Sequence, residues 1–151
     1  MNPTPSGWPR FASAVVYRDA AAAIDWLCEA FGFEIRLKVE GENGRVEHCE
    51  LEYGGGVIMV AEERPQDSRA WKRLLRSPRS LDGANTQSLM IYVDDALAHC
   101  ARARERGARI LEEPAVHDYG KDHWSDRSYC AGDPEGHVWW ITQRVRSPAQ
   151  P

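Results

Sequence analysis

Parts of this chain are written twice, and the duplication limits what it can fold into more than any single residue does. Asp19-Ala20, in RDAAAAIDWLCEAFGFEI, returns 76 residues later as Asp95-Ala96, in DDALAHCARARERGARI. Gly32 and Ile35 return after 75 residues as Gly107 and Ile110, and Cys49, Gly55 and Val57 return after 81 as Cys130, Gly136 and Val138. Offsets this close, held over two stretches of about 45 residues, mark an internal repeat. The chain reads as a duplicated module, and its site is expected between the copies.

The first copy opens with Phe11 to Arg18, apolar and β-branched as a short strand requires. Ile24, Leu27, Cys28 and Phe31 then recur at the spacing of a helix that buries one face. Asp19 is placed to cap that helix and Gly32 to end it. Strands follow at Glu34–Glu40, Arg45–Tyr53 and Val57–Glu62, separated by Gly41-Glu42-Asn43-Gly44 and Gly54-Gly55-Gly56. The second copy repeats the order: strand Gln87–Val93, helix Asp95–Arg106, strands Arg109–Glu112, Ser128–Ala131 and His137–Gln143. Each copy is a βαβββ module, the first spanning about residues 10–63 and the second 86–143. In the linker, 64–85, Trp71, Leu74 and Leu75 are spaced for one short helix, and residues 1–9 and 144–151 read as flexible tails.

A chain of 151 residues can close a real core, burying roughly 70% of its unfolded surface. One domain built from two half-modules is the natural count. A net charge of −4 argues against a nucleic-acid partner, and the basic cluster Lys72, Arg73, Arg76 and Arg79 reads as a solvated linker face. No apolar run approaches the ~20 residues that span a bilayer, and MNPTPSGWPR has no apolar signal core, so a cytoplasmic protein with no membrane partner is expected. Cys28, Cys49, Cys100 and Cys130 lack C-x-x-C spacing and read as reduced, structural thiols.

Asp133-Pro134-Glu135-Gly136 has the residue order of a type I turn, which explains it without invoking function. The stretch Pro114–Trp124 is different: it reads as a long polar and aromatic loop, the kind of segment in which ligand contacts concentrate. His99, in the second helix, reads as a surface side chain.

Two tandem βαβββ modules, a first helix reading D-x-x-x-x-I-D-W and ending in F-G, and a closing D-P-E-G-H-V-W-W strand resemble the vicinal oxygen chelate superfamily. That group includes glyoxalase I, extradiol dioxygenases and bleomycin-resistance proteins, and the resemblance covers residues 10–143. It implies an α+β fold in which the modules form a half-open, β-barrel-like cup, and a homodimer. In the metal enzymes of the superfamily, His, Gln or Glu side chains on the first and last strand of each module hold a divalent ion. Carried over by spacing, those positions are Ala12 and Met59 in the first module and Ser88 and Trp140 in the second, and none is a usual ligand. The repeat offsets relate Ala12 to Ser88 and Met59 to Trp140 independently of the resemblance. No metal and no other cofactor is expected. Glu47, His48, Glu50, His117, His123 and His137 are the candidates for a displaced site, and they form no spaced ligand set. His48 and Glu50 do share a strand face.

Alternation along the strands then names the lining. Ala12, Ala14 and Val16 face inward with Val57, Met59 and Ala61; Ser88, Met90 and Tyr92 face inward with Val138, Trp140 and Thr142. Trp139 points into the core. The candidate ligand-binding set is Met59, Ser88, Met90, Tyr92, His123, Trp124, Arg127 and Trp140, with Arg127 as an anion anchor and His123 and Trp124 as a rim. A pocket of this kind suits a flat or apolar organic molecule. The plainer alternatives stay open: Trp140 and the methionines as close-packed core, and Arg127 paired with Asp126.

The expected function is a metal-free small-molecule-binding protein of the glyoxalase/bleomycin-resistance type, holding an aromatic or apolar ligand such as an antibiotic or a metabolite. The alternative is a lyase, isomerase or dioxygenase acting on a small carbonyl, thiol-conjugate or aromatic substrate, with a displaced metal or none. No catalytic residue is assigned.

Overall fold

Asp19 and Asp95 do the same work in the two halves of the molecule: each ends an extended segment and starts a helix by accepting hydrogen bonds from the helix's first amides. In the computed structural model, which describes residues 1–148, Asp19 accepts from Ala22 N at 3.0 Å, and Asp95 from Leu97 N at 2.9 Å and Ala98 N at 3.0 Å. A cap of this type contributes about 1 kcal/mol.

The chain divides into two compact units, residues 1–83 and Ala84 onward. In the first, β1 (Ser13–Tyr17), α1 (Ala20–Trp26), β2 (Glu34–Glu40), β3 (Val46–Tyr53) and β4 (Gly56–Glu62) form one module, followed by a short α2 (Ala70–Arg73). In the second, β5 (Ser88–Tyr92), α3 (Ala96–Glu105), β6 (Arg109–Asp118), β7 (Ser125–Gly132) and β8 (Val138–Arg146) form the other. The sheet orders are equivalent, β1-β4-β3-β2 and β5-β8-β7-β6, with the first and last strand of each module parallel. The α+β architecture of two βαβββ modules is borne out.

Each sheet buries one face under its own helix. Val15, Tyr17, Cys49, Leu51 and Val60 pack with Ile24, Leu27 and Phe31 in the first unit. The second buries Tyr129, Ala131, Trp139 and Ile141 against the small residues Ala96, Cys100 and Ala103 of α3. Trp139 is fully buried, as its alternation predicts. The end of α1 loosens into a π-type turn over Leu27–Phe31, which Gly32 terminates at φ 84°, a left-handed conformation that glycine adopts without a Cβ penalty.

Several expectations are corrected. The stretch Pro114–Trp124 is not one long loop: β6 runs to Asp118 and β7 starts at Ser125, and their pairing, including Ala115 with Ser128 and His117 with Asp126, leaves only a tight turn. Pro114 is tolerated because β6 is an edge strand whose register shifts between Glu112 and Ala115. β8 continues past Gln143 to Arg146, into the expected tail; residues 149–151 of that tail lie outside the described residues. Trp8, in the other expected tail, lies against Arg36, whose guanidinium is 4.8 Å from the indole centre and donates to the Gly7 carbonyl. His99 is not a free surface side chain, because its Nδ1 lies 2.7 Å from the Tyr129 hydroxyl.

The repeat itself needs one adjustment. Ala14 faces Met59 and Met90 faces Trp140, so β1 and β5 keep the offset of 76 and β4 and β8 that of 81. Cys49, however, pairs with Val60 on the helix side, whereas Cys130 pairs with Trp140 on the other face. The structural mate of Cys130 is therefore Glu50, and that of Ser128 is His48. The sequence match of the two cysteines is one residue out of register.

Candidate functional site

The faces turned away from the helices carry the candidate residues. In the first unit a cavity of about 300 Å³ is lined by Ala14 and Val16 of β1, Met59 and Ala61 of β4, His48 of β3, and Trp71 and Leu75 from the segment around α2. Small side chains on β1 leave the space, and the indole and the leucine add apolar wall. That volume lies at the lower end of those that take drug-sized molecules. Glu47 and Arg64, joined at 2.6 Å, and Glu62 and Lys72 also line it. Arg64 donates to Glu47 and holds that carboxyl below its ordinary range.

His48 and Glu50 do share this face, as alternation predicts. The His48 Nε2 lies 3.0 Å from Glu50 Oε1, and Arg36 Nε lies 3.3 Å from Glu50 Oε2. Glu50 is buried while His48 remains partly open. This is a directed chain of polar groups rather than a loose surface pair, and its weight was not apparent from the sequence.

In the second unit, Ser88, Met90 and Tyr92 of β5 lie beside Val138, Trp140 and Thr142 of β8, residue for residue. Met90 is 58% and Tyr92 47% exposed, so within this unit they present open surface rather than close-packed core. Ser128 and Thr142 satisfy one another across β7 and β8 at 3.0 Å.

The residue that organises this face is Arg144, which sequence reading assigned to the tail. Its Nε donates to Asp126 Oδ1 at 2.5 Å and its Nη2 to the Tyr92 hydroxyl at 2.8 Å. Its guanidinium also stands 5.5 Å from the Tyr92 ring centre and 5.3 Å from that of Trp124. The Asp126 carboxylate raises the pKa of Arg144, which stays charged at any working pH. Arg144 thus joins three residues, from β7, β5 and the β6–β7 turn. The signal that could have found it is the alternation of β8 continued two residues beyond Thr142.

Of the remaining candidates, Trp124 packs at 5.4 Å from Tyr119, and His123 sits edge-on to Trp124 at 6.0 Å, both in the β6–β7 turn. Arg146 pins that turn, donating to Asp118 Oδ1 at 2.7 Å and to the Gly120 carbonyl at 3.0 Å. Arg127 faces the other way. It pairs in register with Gln143 on the helix side and donates to Gln143 Oε1 at 3.3 Å, while that oxygen also accepts from Ala96 N at the start of α3. The structure therefore places Ser88, Met90, Tyr92 and Trp140 on one face with Trp124 linked through Arg144, and Arg127 on the opposite face. Met59 belongs to the first unit's cavity.

The residues do not fit a divalent metal at the usual positions. Ala12, Met59, Ser88 and Trp140 supply no imidazole or carboxylate, and among the described residues no three His, Cys, Asp or Glu side chains stand together as a metal set. Burial raises the pKa of all four cysteine thiols, Cys49 to about 11, which keeps them protonated and poorly nucleophilic. Asp133 is committed to structure: its Oδ1 accepts from the amides of Glu135, Gly136 and His137, each at 3.0 Å, and its Oδ2 from Trp139 Nε1 at 3.1 Å.

Comparison with known proteins agrees with this geometry. An uncharacterized protein of Mycobacterium bovis is 31% identical over 138 residues, covering 91% of this chain and 85% of that protein. The crystal structure of TioX from Micromonospora superposes with a TM-score of 0.66 at 28% identity, covering 91% of this chain and 99% of TioX. TnmS3, an antibiotic-binding protein from Streptomyces, shares the fold with a TM-score of 0.63 at 24% identity, covering 89% of this chain and 93% of TnmS3. Residues 10–141 match the Glyoxalase/Bleomycin resistance protein/Dioxygenase superfamily profile, and the chain belongs to that superfamily.

Proposed function

We propose that the protein binds a small aromatic or apolar molecule, an antibiotic or a metabolite, without a metal ion. The observation that carries this reading is the cavity of about 300 Å³ walled by Ala14, Val16, Met59, Ala61, Trp71 and Leu75. Apolar walls hold a ligand by dispersion and stacking, and Glu47, His48, Glu62, Arg64 and Lys72 at the same cavity supply polar groups that can orient it. Trp140, Met90 and Tyr92 add an open stacking surface on the second sheet. The likeness in fold to an antibiotic-binding protein supports the same ligand class. We further propose that residues 10–143 act as one functional domain and that the protein works as a homodimer.

Native mass spectrometry with elemental analysis tests the metal-free claim: the expected result is apoprotein that still binds its ligand, and one tightly held divalent ion per chain would defeat it. A second reading, a metal-independent lyase or isomerase, is favoured by one observation, the His48–Glu50 pair beside the cavity. Turnover of a small carbonyl substrate by metal-stripped protein, lost in His48→Ala, would establish it.

A further inference from the structure

Beside the charged residues Glu47, Glu62, Arg64 and Lys72, the first unit's cavity is lined by His48, whose hydrogen-bonding sense is set by groups behind it. Glu50 is 7% exposed. One of its oxygens faces Arg36 Nε at 3.3 Å, and the other faces His48 Nε2 at 3.0 Å. A carboxylate paired with a guanidinium only accepts hydrogen bonds. The contact with His48 therefore requires the hydrogen on Nε2. A neutral imidazole carries a single ring hydrogen, so Nδ1 is left as an acceptor. Among the described residues no group donates to His48 Nδ1. Arg36 is itself held, by the Trp8 ring and the Gly7 carbonyl, so the chain from Arg36 to His48 is fixed at its far end.

We propose that His48 is the polar anchor of this cavity and that it selects ligands presenting a hydroxyl donor on an apolar ring, a phenol or an enol. The inference rests on the binding function proposed above and sharpens it: the cavity would discriminate between two ring compounds of the same shape by one O–H. The discrimination runs against simple partitioning, because replacing a hydroxyl by a methyl ether makes a compound more apolar.

The matched probes are 2-naphthol and 2-methoxynaphthalene, titrated into the full chain by calorimetry at a pH where ¹⁵N NMR shows the His48 ring to be neutral. The expected result is that 2-naphthol binds roughly three- to tenfold more tightly, the range that a single neutral hydrogen bond supplies. His48→Leu is expected to abolish that preference, so that the two probes bind alike. The ¹⁵N spectrum of the unsubstituted protein is expected to show Nε2 protonated and Nδ1 bare, a readout that needs no variant to fold. Equal binding of the two probes, a preference that survives His48→Leu, or a hydrogen on Nδ1 would overturn the role of His48 while leaving apolar binding intact. If neither probe binds, the cavity's binding function falls and this inference with it.

Discussion

Across the first sheet, Ala14, Met59, Glu50 and Leu37 lie side by side; across the second, Met90, Trp140, Cys130 and Glu112 do. The next row sets Val16 and Ala61 against Tyr92 and Thr142. At each matched place on the first two strands the earlier copy has the smaller or less aromatic side chain: Ala14 for Met90, Val16 for Tyr92, Met59 for Trp140. The same strand pairing thus yields a cavity in one unit and a broad aromatic surface in the other. Polar groups divide in the same way, with His48 and Glu50 standing where the second copy has Ser128 and Cys130. The duplicated scaffold thus carries two different open faces, one with a cavity and one with exposed aromatic surface.

The largest expected effect separates adjacent tryptophans. Trp139→Ala empties the second unit's core and is expected to cost about 3–5 kcal/mol by denaturant titration. Trp140→Ala is expected to cost clearly less stability while weakening ligand binding. Equal stability losses would mean that Trp140 is core, and the contrast between the two faces would fail.

Next come the turns that join the last two strands of each module. Gly54 and Gly55 turn at positive φ, 52° and 85°, whereas Asp133 satisfies three amides and an indole N–H. Asp133→Ala strands several buried donors and is expected to cost about 3 kcal/mol. A loss below about 1 kcal/mol, the scale of one net hydrogen bond, would show the turn to be self-supporting.

Arg144→Met tests the stacking face. It removes the partner of Asp126 and the link between Tyr92 and Trp124, so tryptophan fluorescence should shift and affinity for an aromatic ligand should fall several-fold, the scale of one aromatic contact. His48→Leu should leave that fluorescence unchanged. If Arg144→Met leaves both readouts unmoved, the cluster has no part in binding.

The smallest effect concerns the linker behind the cavity. Burial raises the Glu63 pKa, but hydrogen bonds from Ser77 N, the Ser80 hydroxyl and Arg76 outweigh it and hold the carboxyl below its ordinary value. A folded value below the unfolded one contributes stability that is fully present above about pH 4.3 and is lost as pH falls through the lowered value. Glu63→Gln should therefore flatten the acid limb of the stability profile in the first unit alone. An unchanged acid limb would remove Glu63 from that role.

Most of the scaffold was legible because its signals are local: Asp19 and Asp95 cap, Gly32 terminates, and period-two alternation gives Trp139 and Trp140 opposite faces. What stayed hidden depends on partners distant in sequence. β6 and β7 extend through polar residues and a proline because an edge strand tolerates both, and Pro114 reads locally as a break. Arg144 acquires its role only when β8 is seen to continue and bring it beside Asp126. The matched cysteines misled by one residue because the two modules join their last strands through turns of different length. His48 and Glu50 were visible as neighbours on one face, but the burial of Glu50 by Arg36 is a tertiary fact.

The central claim, apolar binding without a metal, is tested most directly by the thermal shift of chelator-stripped protein across a panel of antibiotics and aromatic metabolites. A ligand that binds the native state raises the melting temperature by mass action. The account predicts at least one saturable shift that persists in the chelator and is diminished by Trp140→Ala or by filling the cavity with Ala14→Phe. A shift that appears only when a divalent ion is restored would contradict it.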